Sequence, residues 1–532
     1  MKAREFICSL LLAAVSMAAA SAAVRIVPEP VRIVERAGKA SLPSAITISA
    51  PAGSGIADTY IDLTSGILEK SGITLGKGGW RSTVKLSLSR KVDGAGAYII
   101  EVRRRRVMIT ASDEDGLWNG LQTLTQLLIQ GVDHKMIIYD APRFGYRGAM
   151  LDCGRHFFTV DEVKAFIDMM AVHKLNMFHW HLTEDQGWRI EIRKYPLLTE
   201  IGSVRKGSYL TNYSGEQHDA YSSEPYGGFY TQDEIREVVK YAQDRHIVTI
   251  PEIEIPGHSM AALASYPWLG CTGGPYEVRV QWGVSDDVMC IGKESTWEFC
   301  RNVLDEVCEL FPGELIHIGG DEAPRVRWNE CPHCQALMKK EGMTSEAQLQ
   351  SWITSRVENY LASKGKRIIG WDEVLEGGVS KGCVVMSWAN GSTGGQKAAA
   401  LGNDVIMTDK FHCYFDCYQT ESREGELFAH NRNIPLEKVW QYDPVGGMDA
   451  ASASHVLGVQ CNTWTEHISA MDRVYFMNLP RMAALAEVAW ASPESLSGYH
   501  DFLERLQASF IPLYSAASWP FAEFYRQDLE RR

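Results

Sequence analysis

The chain has 532 residues, 45% of them hydrophobic, and a formal net charge of −13. That length exceeds one small domain and the apolar content is ample for a large core, so two domains, one of them large, are expected. The acidic balance excludes a nucleic-acid surface as the main function.

Residues 1–23 read as a secretory signal. Lys2 and Arg4 precede the mostly apolar stretch from Phe6 to Ala20, and Ala20-Ser-Ala22 suits cleavage. The apolar run is too short to span a bilayer comfortably, and no later stretch resembles a membrane span. Cys8 stands too near the start for lipoprotein attachment. The expected location is outside the cytoplasm: periplasmic, extracellular or at the cell surface.

Residues 24–140 predict a smaller α+β domain. Strands are expected at Val24–Ile33, Val84–Leu88, Ala97–Val102 and Val107–Ala111, the first an edge strand because of Pro28 and Pro30. Helical spacing marks Tyr60–Ser71 and Leu117–Gln130. Arg103 to Arg106 form a basic run that suits a solvated strand or edge. No cluster of reactive side chains appears here, so the domain is read as structural.

From 141 to about 500 a repeating unit is expected, followed by a helical tail over 501–532. Strand candidates are Gly148–Cys153, Met177–Leu182, Ile247–Ile253, Leu315–Ile318, Arg367–Trp371, Val384–Trp388, Asp404–Thr408 and Val456–Cys461. Capping boxes at Thr159/Glu162, Thr231/Glu234 and Ser295/Glu298 mark intervening helix starts. Eight strands alternating with helices predict an α/β fold of the (β/α)8 TIM-barrel type. An open doubly wound sheet is the alternative, but no glycine-rich phosphate turn follows the first strand.

Function in such a barrel sits at the C-terminal strand ends. In order these ends carry Arg155 and His156; His179, His181, Glu184 and Asp185; Glu252, Glu254 and His258; His317, Asp321 and Glu322; Trp371, Asp372 and Glu373; Trp388; Tyr414 and Asp416; Trp464 and Glu466. Carboxylates interleaved with tryptophans suit a sugar, since aromatic faces stack on apolar ring faces while carboxylates and Arg bind hydroxyls. The adjacent acids Asp321 and Glu322 follow Gly319-Gly320; in extended backbone they would point to opposite sides and serve different roles. A helix N-cap is the alternative for them. His179-Trp-His181 has the spacing of a metal-dependent amidohydrolase, but Trp371 and Trp388 stand where further histidines would be needed. Cys331-Pro-His-Cys334 is a single CxxC pair among twelve cysteines, with no second pair at suitable spacing, which favours a local disulfide or free thiols over a metal. The long segment from Gly202 to Tyr230 is either a functional loop on the leaving-group side or surface decoration.

The ordered motifs resemble glycoside hydrolase family 20, the β-N-acetylhexosaminidases. They are Arg155-His-Phe, residues 179–188 (HWHLTEDQGW), 251–258 (PEIEIPGH), 317–322 (HIGGDE), 370–373 (GWDE), Ser387-Trp388, 414–416 (YFD) and 464–466 (WTE). The resemblance implies exo-acting removal of terminal N-acetylglucosamine or N-acetylgalactosamine from glycans, without metal or cofactor. It implies that Glu322 is the general acid/base, and that Asp321 and Tyr414 hold the substrate's 2-acetamido group, whose carbonyl attacks the anomeric carbon to give an oxazolinium. Trp371, Trp388 and Trp464 would wall the pocket, Arg155 and Glu466 would bind ring hydroxyls, and Asp416 outer ones. His258 would tune Glu322. Its orienting partner in the family is commonly an Asp at the position of Glu184; here either Glu184 or Asp185 could serve.

Overall fold

The computed structural model describes residues 24–211, 213–214 and 220–530; the expected signal at 1–23 lies outside them. The first domain is a mixed seven-stranded sheet: β1 (Arg32–Lys39), β2 (Ala45–Ser49), β3 (Thr74–Lys77), β4 (Val84–Leu88), β5 (Tyr98–Val102), β6 (Val107–Ala111) and β7 (His134–Asp140). Their spatial order is β1-β7-β5-β6-β4-β2-β3. Helices α1 (Ile56–Glu69) and α2 (Glu114–Gln130) pack on each other, and α2 lies on β5 and β6. Asp113 caps α2 by accepting from the Gly116 N–H, and Gly131 ends it at φ 68°, where a side chain would be strained.

The first strand differs from expectation. Val24–Ile33 is not a strand: Ile26 and Val27 are buried, and the Val27 backbone exchanges two hydrogen bonds with the Gln126 side chain on α2. A glutamine thus mimics a neighbouring strand where Pro28 and Pro30 cannot donate, and the ladder begins only at Arg32, an edge strand paired with β7. Strands β2, β3 and β7 escaped the sequence reading because each is short or polar on alternate positions. Arg103–Arg106 form the exposed turn between β5 and β6 rather than a strand edge.

The second domain is a closed barrel of eight parallel strands, Tyr146–Asp152, Met177–His181, Val248–Glu252, Leu315–His317, Arg367–Trp371, Val384–Ser387, Val405–Met407 and Val456–Thr463. Every barrel strand expected from the sequence is present, with ends moved by a few residues. Capping boxes form at Thr159 and Thr231, each hydroxyl accepting from the N–H three residues on. The one expected at Ser295 does not: that helix runs Glu294–Leu310 with Lys293 at its cap and no side-chain cap bond. Helices Tyr499–Ala508, Phe510–Ala517 and Arg526–Glu530 form the tail. Among the described residues no helix is long and apolar enough to cross a membrane.

The two domains meet over a buried polar knot. The Asp140 carboxylate at the end of β7 accepts from Tyr98 Oη and, at 2.8 Å, from Trp490 Nε1, and Lys174 Nζ lies 3.4 Å away. Lys174 also donates to Tyr98 Oη at 2.8 Å and stands 4.3 Å over the Trp490 ring. Burial pushes its amine down to about 8, against the pull of Asp140. Asp140→Ala leaves this ammonium without its counter-ion, so a loss of about 3–5 kcal/mol is expected from denaturant unfolding. An unchanged unfolding midpoint would show that the knot contributes no net stability.

Candidate active site

Gly319 and Gly320 follow the fourth barrel strand at φ 65° and 95°. A Cβ on Gly319 would lie 1.8 Å from Glu254 Oε2, so only glycine fits there. Asp321 and Glu322 come next, in irregular chain; the following helix starts only at Val326, capped by Arg325, so neither acid is a helix cap. Nor do they point apart. Glu322 has φ 43°, a left-handed conformation costly for a side chain, and it turns the carboxylate back. As a result His258 Nε2 lies 3.6 Å from Asp321 Oδ2 and 3.7 Å from Glu322 Oε2. What divides the pair is burial: the Asp321 side chain is 11% exposed, whereas that of Glu322 is 43% exposed.

His258 is itself at φ 43°. Its Nδ1 lies 2.7 Å from Glu184 Oε1 and 4.0 Å from Asp185 Oδ2. Asp185 is engaged elsewhere, accepting from the Met260 N–H at 2.9 Å and from Arg279 Nη1 at 3.2 Å. Glu184 therefore orients His258, and Asp185 fixes the backbone just after it. Burial works against the imidazolium, but Glu184 and Asp321 hold His258 charged, well above the usual histidine range. The Asp321 carboxyl is raised to about 6, by burial against the pull of His258, with Glu252, Glu322 and Glu184 adding to the rise. Glu322 is held below its ordinary value by His258, against its partial burial.

Arg155 Nη2 lies 2.9 Å from Glu184 Oε2, and its guanidinium stands 4.9 Å over the Trp464 ring. Trp464, Trp371, Trp388 and Tyr414 form one aromatic wall: Trp371 lies 5.8 Å from Trp464 and 6.4 Å from Trp388, and Trp388 stacks on Tyr414 at 6.0 Å. Trp388 Nε1 donates to Glu373 Oε2 at 2.9 Å. Burial, with Asp321 nearby, pushes the Glu373 carboxyl up to about 8.

Arg155, Asp321, Glu322, Trp371, Trp388, Tyr414 and Trp464 line one cavity of about 300 Å³, together with Asp416, Glu466, Trp282, Gly283, Val284, His430 and Arg432. That volume is at the small end of ligand pockets, roughly 300–1,000 Å³. Asp321 Oδ1, Asp416 Oδ1, Glu466 Oε2 and Trp464 Nε1 are inaccessible to solvent and have no protein hydrogen-bond partner among the described residues. His430 lies 3.4 Å from Glu466 Oε1 and 3.8 Å from Asp416 Oδ2. Those two carboxylates raise it to about 9 against its burial. His430 and Arg432 escaped the sequence reading because they sit on a short strand outside the barrel (His430–Asn433). Trp282 to Val284 lie in a long loop after the third barrel strand, where only the tryptophan was a signal. The described residues of the segment 202–230 include two small antiparallel ladders, Val204–Arg205 with Tyr226–Gly227 and Ser208–Tyr209 with Tyr221–Ser222, and none of them lines the cavity.

His179 and His181 lie in the barrel core and are not among the residues that line the cavity. Both are fully buried and turned to Glu252, which His181 Nδ1 contacts and His179 Nε2 approaches at 3.0 Å. The same carboxylate accepts from Trp371 Nε1 at 2.7 Å and lies 2.8 Å from His317 Nδ1.

A family model described as the catalytic domain of glycosyl hydrolase family 20 matches residues 144–493, and one for domain 2 of the same family matches 23–141. A β-hexosaminidase of Porphyromonas gingivalis is 43% identical over 81% of this chain and 55% of its own length; one from Vibrio furnissii is 40% identical over 74% and 64%. The chain thus spans little more than half to two thirds of these relatives. The solved structure of a family 20 exo-β-N-acetylglucosaminidase from Vibrio harveyi, in complex with N-acetylglucosamine, superposes with a TM-score of 0.82 at 31% identity, over 96% of this chain and 80% of that one. The barrel, the domain before it and the two matching family models agree: the chain belongs to glycosyl hydrolase family 20.

Proposed function

We propose that the protein is an exo-acting, retaining β-N-acetylhexosaminidase that removes terminal N-acetylglucosamine or N-acetylgalactosamine by substrate-assisted catalysis. The observation that carries this reading is the paired Asp321 and Glu322 around His258, set in a one-ring cavity with an aromatic wall and unpartnered buried polar atoms. The names of the relatives support it. Residues 1–23 support export to the periplasm or beyond.

The two acids share one side of the cavity, so neither stands across the sugar as a nucleophile; the substrate's acetamido carbonyl oxygen takes that place. Glu322 gives its proton to the glycosidic oxygen as that oxygen leaves, and the acetamido oxygen closes on the anomeric carbon. Asp321 holds the acetamido N–H and balances the positive charge that grows on the ring being formed, with Tyr414 on the carbonyl side. Glu322 then takes a proton from water as the water opens the oxazolinium, restoring the β configuration. A bound sugar covers the exposed part of Glu322, and loss of water raises a carboxyl, which brings the acid toward the protonated form it needs. Arg155, Asp416 and Glu466 hold ring hydroxyls, and closure of the cavity around one ring restricts cleavage to chain ends.

Glu322→Gln keeps the shape but cannot supply a proton. Turnover of natural glycosides is expected to fall by roughly 10²–10⁴-fold with binding largely retained; near wild-type turnover on a poor leaving group would exclude Glu322 as the acid.

The pH profile of kcat/KM tests His258. Asp321, with its carboxyl at about 6, must be ionised, so activity declines as pH falls through that value. His258 lowers both Asp321 and Glu322, so removing it raises both carboxyls. For His258→Ala, both the acid and the alkaline limb should therefore move to higher pH. Limbs that stay put at full activity would leave His258 a packing role only.

A cyclic thiazoline resembling the oxazolinium should inhibit strongly, because the site is complementary to the high-energy species. Asp321→Asn should weaken that inhibition and slow turnover together, and substrates lacking the 2-acetamido group should be nearly inert. A glycosyl adduct trapped on an Asp or Glu would replace this mechanism by double displacement.

A further inference from the structure

The expectation that Cys331 and Cys334 have no second pair is corrected by the fold: Cys271 and Cys290 converge on them. All four sulfurs lie within 4.8 Å of one another. Cys290 Sγ is 3.5 Å from Cys331 Sγ and 3.7 Å from Cys334 Sγ, and Cys271 Sγ is 4.0 Å from Cys334 Sγ. A disulfide needs sulfurs about 2.0 Å apart. A sulfur lying equally near two others is committed to neither. Four thiolates around one zinc at about 2.3 Å form a tetrahedron whose edges are about 3.8 Å, and the three distances above bracket that edge.

We propose that Cys271, Cys290, Cys331 and Cys334 bind one zinc ion in a closed, all-sulfur, structural site. Pro332 opens the helix Pro332–Glu341, and its first turn aims Cys331 and Cys334 to the same side. Cys271 and Cys290 stand at the two ends of the long loop after the third barrel strand, joined by the bridge Gly270–Met289 and by the Cys290 N–H donating to Leu269 O at 2.7 Å. Gly292 lets the two halves meet: a Cβ there would lie 2.2 Å from the His333 carbonyl carbon. Cys290, Cys331 and Cys334 are buried and Cys271 is partly exposed, so four sulfurs fill the coordination and no position stays open for a substrate. On binding, each thiol gives its proton to solvent, and the four thiolates replace the water molecules of the hydrated zinc ion.

The clamp is joined to the cavity through the loop it closes. It closes the loop 272–289, whose Arg279 holds Asp185 and whose Trp282, Gly283 and Val284 line the cavity. Met289, beside the clamp, donates to Pro256 O at 3.0 Å, two residues before His258, and its own carbonyl accepts from Trp328 Nε1, beyond Glu322. One ion thereby ties together the segments that present His258, Trp282 and Glu322.

The test is metal analysis of the untagged full chain grown with zinc and purified without chelator. One zinc per chain, with X-ray absorption showing only sulfur neighbours at about 2.3 Å, is the expected result. In Cys331→Ser/Cys334→Ser the zinc should be lost and the thermal midpoint lowered. If that variant does not fold, the wild-type absorption spectrum still decides. Two disulfides among these four residues by mass spectrometry, nitrogen or oxygen neighbours at the zinc, or no stoichiometric metal would each overturn the proposal.

Discussion

Glu252 carries a carboxylate into the centre of an eight-stranded barrel, where it is wholly buried. Burial alone would force it to take a proton. Instead His317, His181 and His179 hold it well below the ordinary carboxylate range, and Trp371 Nε1 donates to it. His181 in turn is pushed up to about 10, burial opposing its charge and Glu252 overcoming that, while burial pushes His179 down to about 4. His181 next meets Glu184 at 3.3 Å, and Glu184 meets both Arg155 and His258. The result is a column of alternating charge, Glu252, His181, Glu184, then Arg155 and His258, rising from the barrel core to Asp321 and Glu322. Each member is desolvated and matched to its neighbours, so losing one leaves an uncompensated buried charge. The column also fixes side-chain positions: Trp371, through its bond to Glu252, holds the floor of the aromatic wall.

This column explains how two adjacent carboxylates acquire different properties. His258 approaches both at nearly the same distance, so proximity to the cation does not separate them. Depth does. Asp321 feels Glu252 and Glu184 through low-dielectric interior, and burial raises it; Glu322, nearer solvent, responds mainly to His258 and is lowered. Glu254, under Gly319, is raised well above the ordinary range by burial and by Asp321 and Glu252. A carboxyl whose value depends on water cover is one that a ligand can shift, and Glu322 is the member of the pair that retains such cover.

The barrel is legible in the sequence because parallel strands buried on both faces appear as short continuous apolar runs, and the reactive residues follow those runs directly. Arg155, Glu184, Asp321 and Trp371 are found this way. What depends on backbone turns is not legible. Positive φ at Glu322 brings it beside Asp321, although extended geometry would separate them. His430 and Arg432 reach the cavity from a two-residue pairing with Cys417–Tyr418, a contact no periodicity reports. Cys271 and Cys290 lack the spacing of a second CxxC, and only the loop closing on itself makes them neighbours. Glu252 and Glu184 are both carboxylates at strand ends, and composition does not distinguish the one buried beneath the floor from the one that orients His258.

The loops that carry the site need their own support, since irregular chain leaves carbonyls that neither helix nor sheet satisfies. Buried arginines supply it. Arg189 donates to the carbonyls of Cys153, Gly154, Ser203 and Gly228, joining the turn that presents Arg155 to both limbs of the 202–230 segment. Arg481 does the same for Phe415, Cys417 and Ile434, fixing the chain around Asp416 and the strand bearing His430. Neither relies on an ion pair for these bonds; a guanidinium offers five N–H donors in one plane, enough to serve several carbonyls at once. Burial lowers both arginines, Arg481 to about 10, yet leaves them charged near neutrality. A lysine, with three donors on a point charge, could not span the same carbonyls. Arg189 holds the turn after the first barrel strand and Arg481 the chain after the seventh. Among the described residues no arginine does this at the base of the loop after the third strand; Lys293 Nζ donates to the Trp268 and Gly270 carbonyls at that base, and there the four cysteines converge.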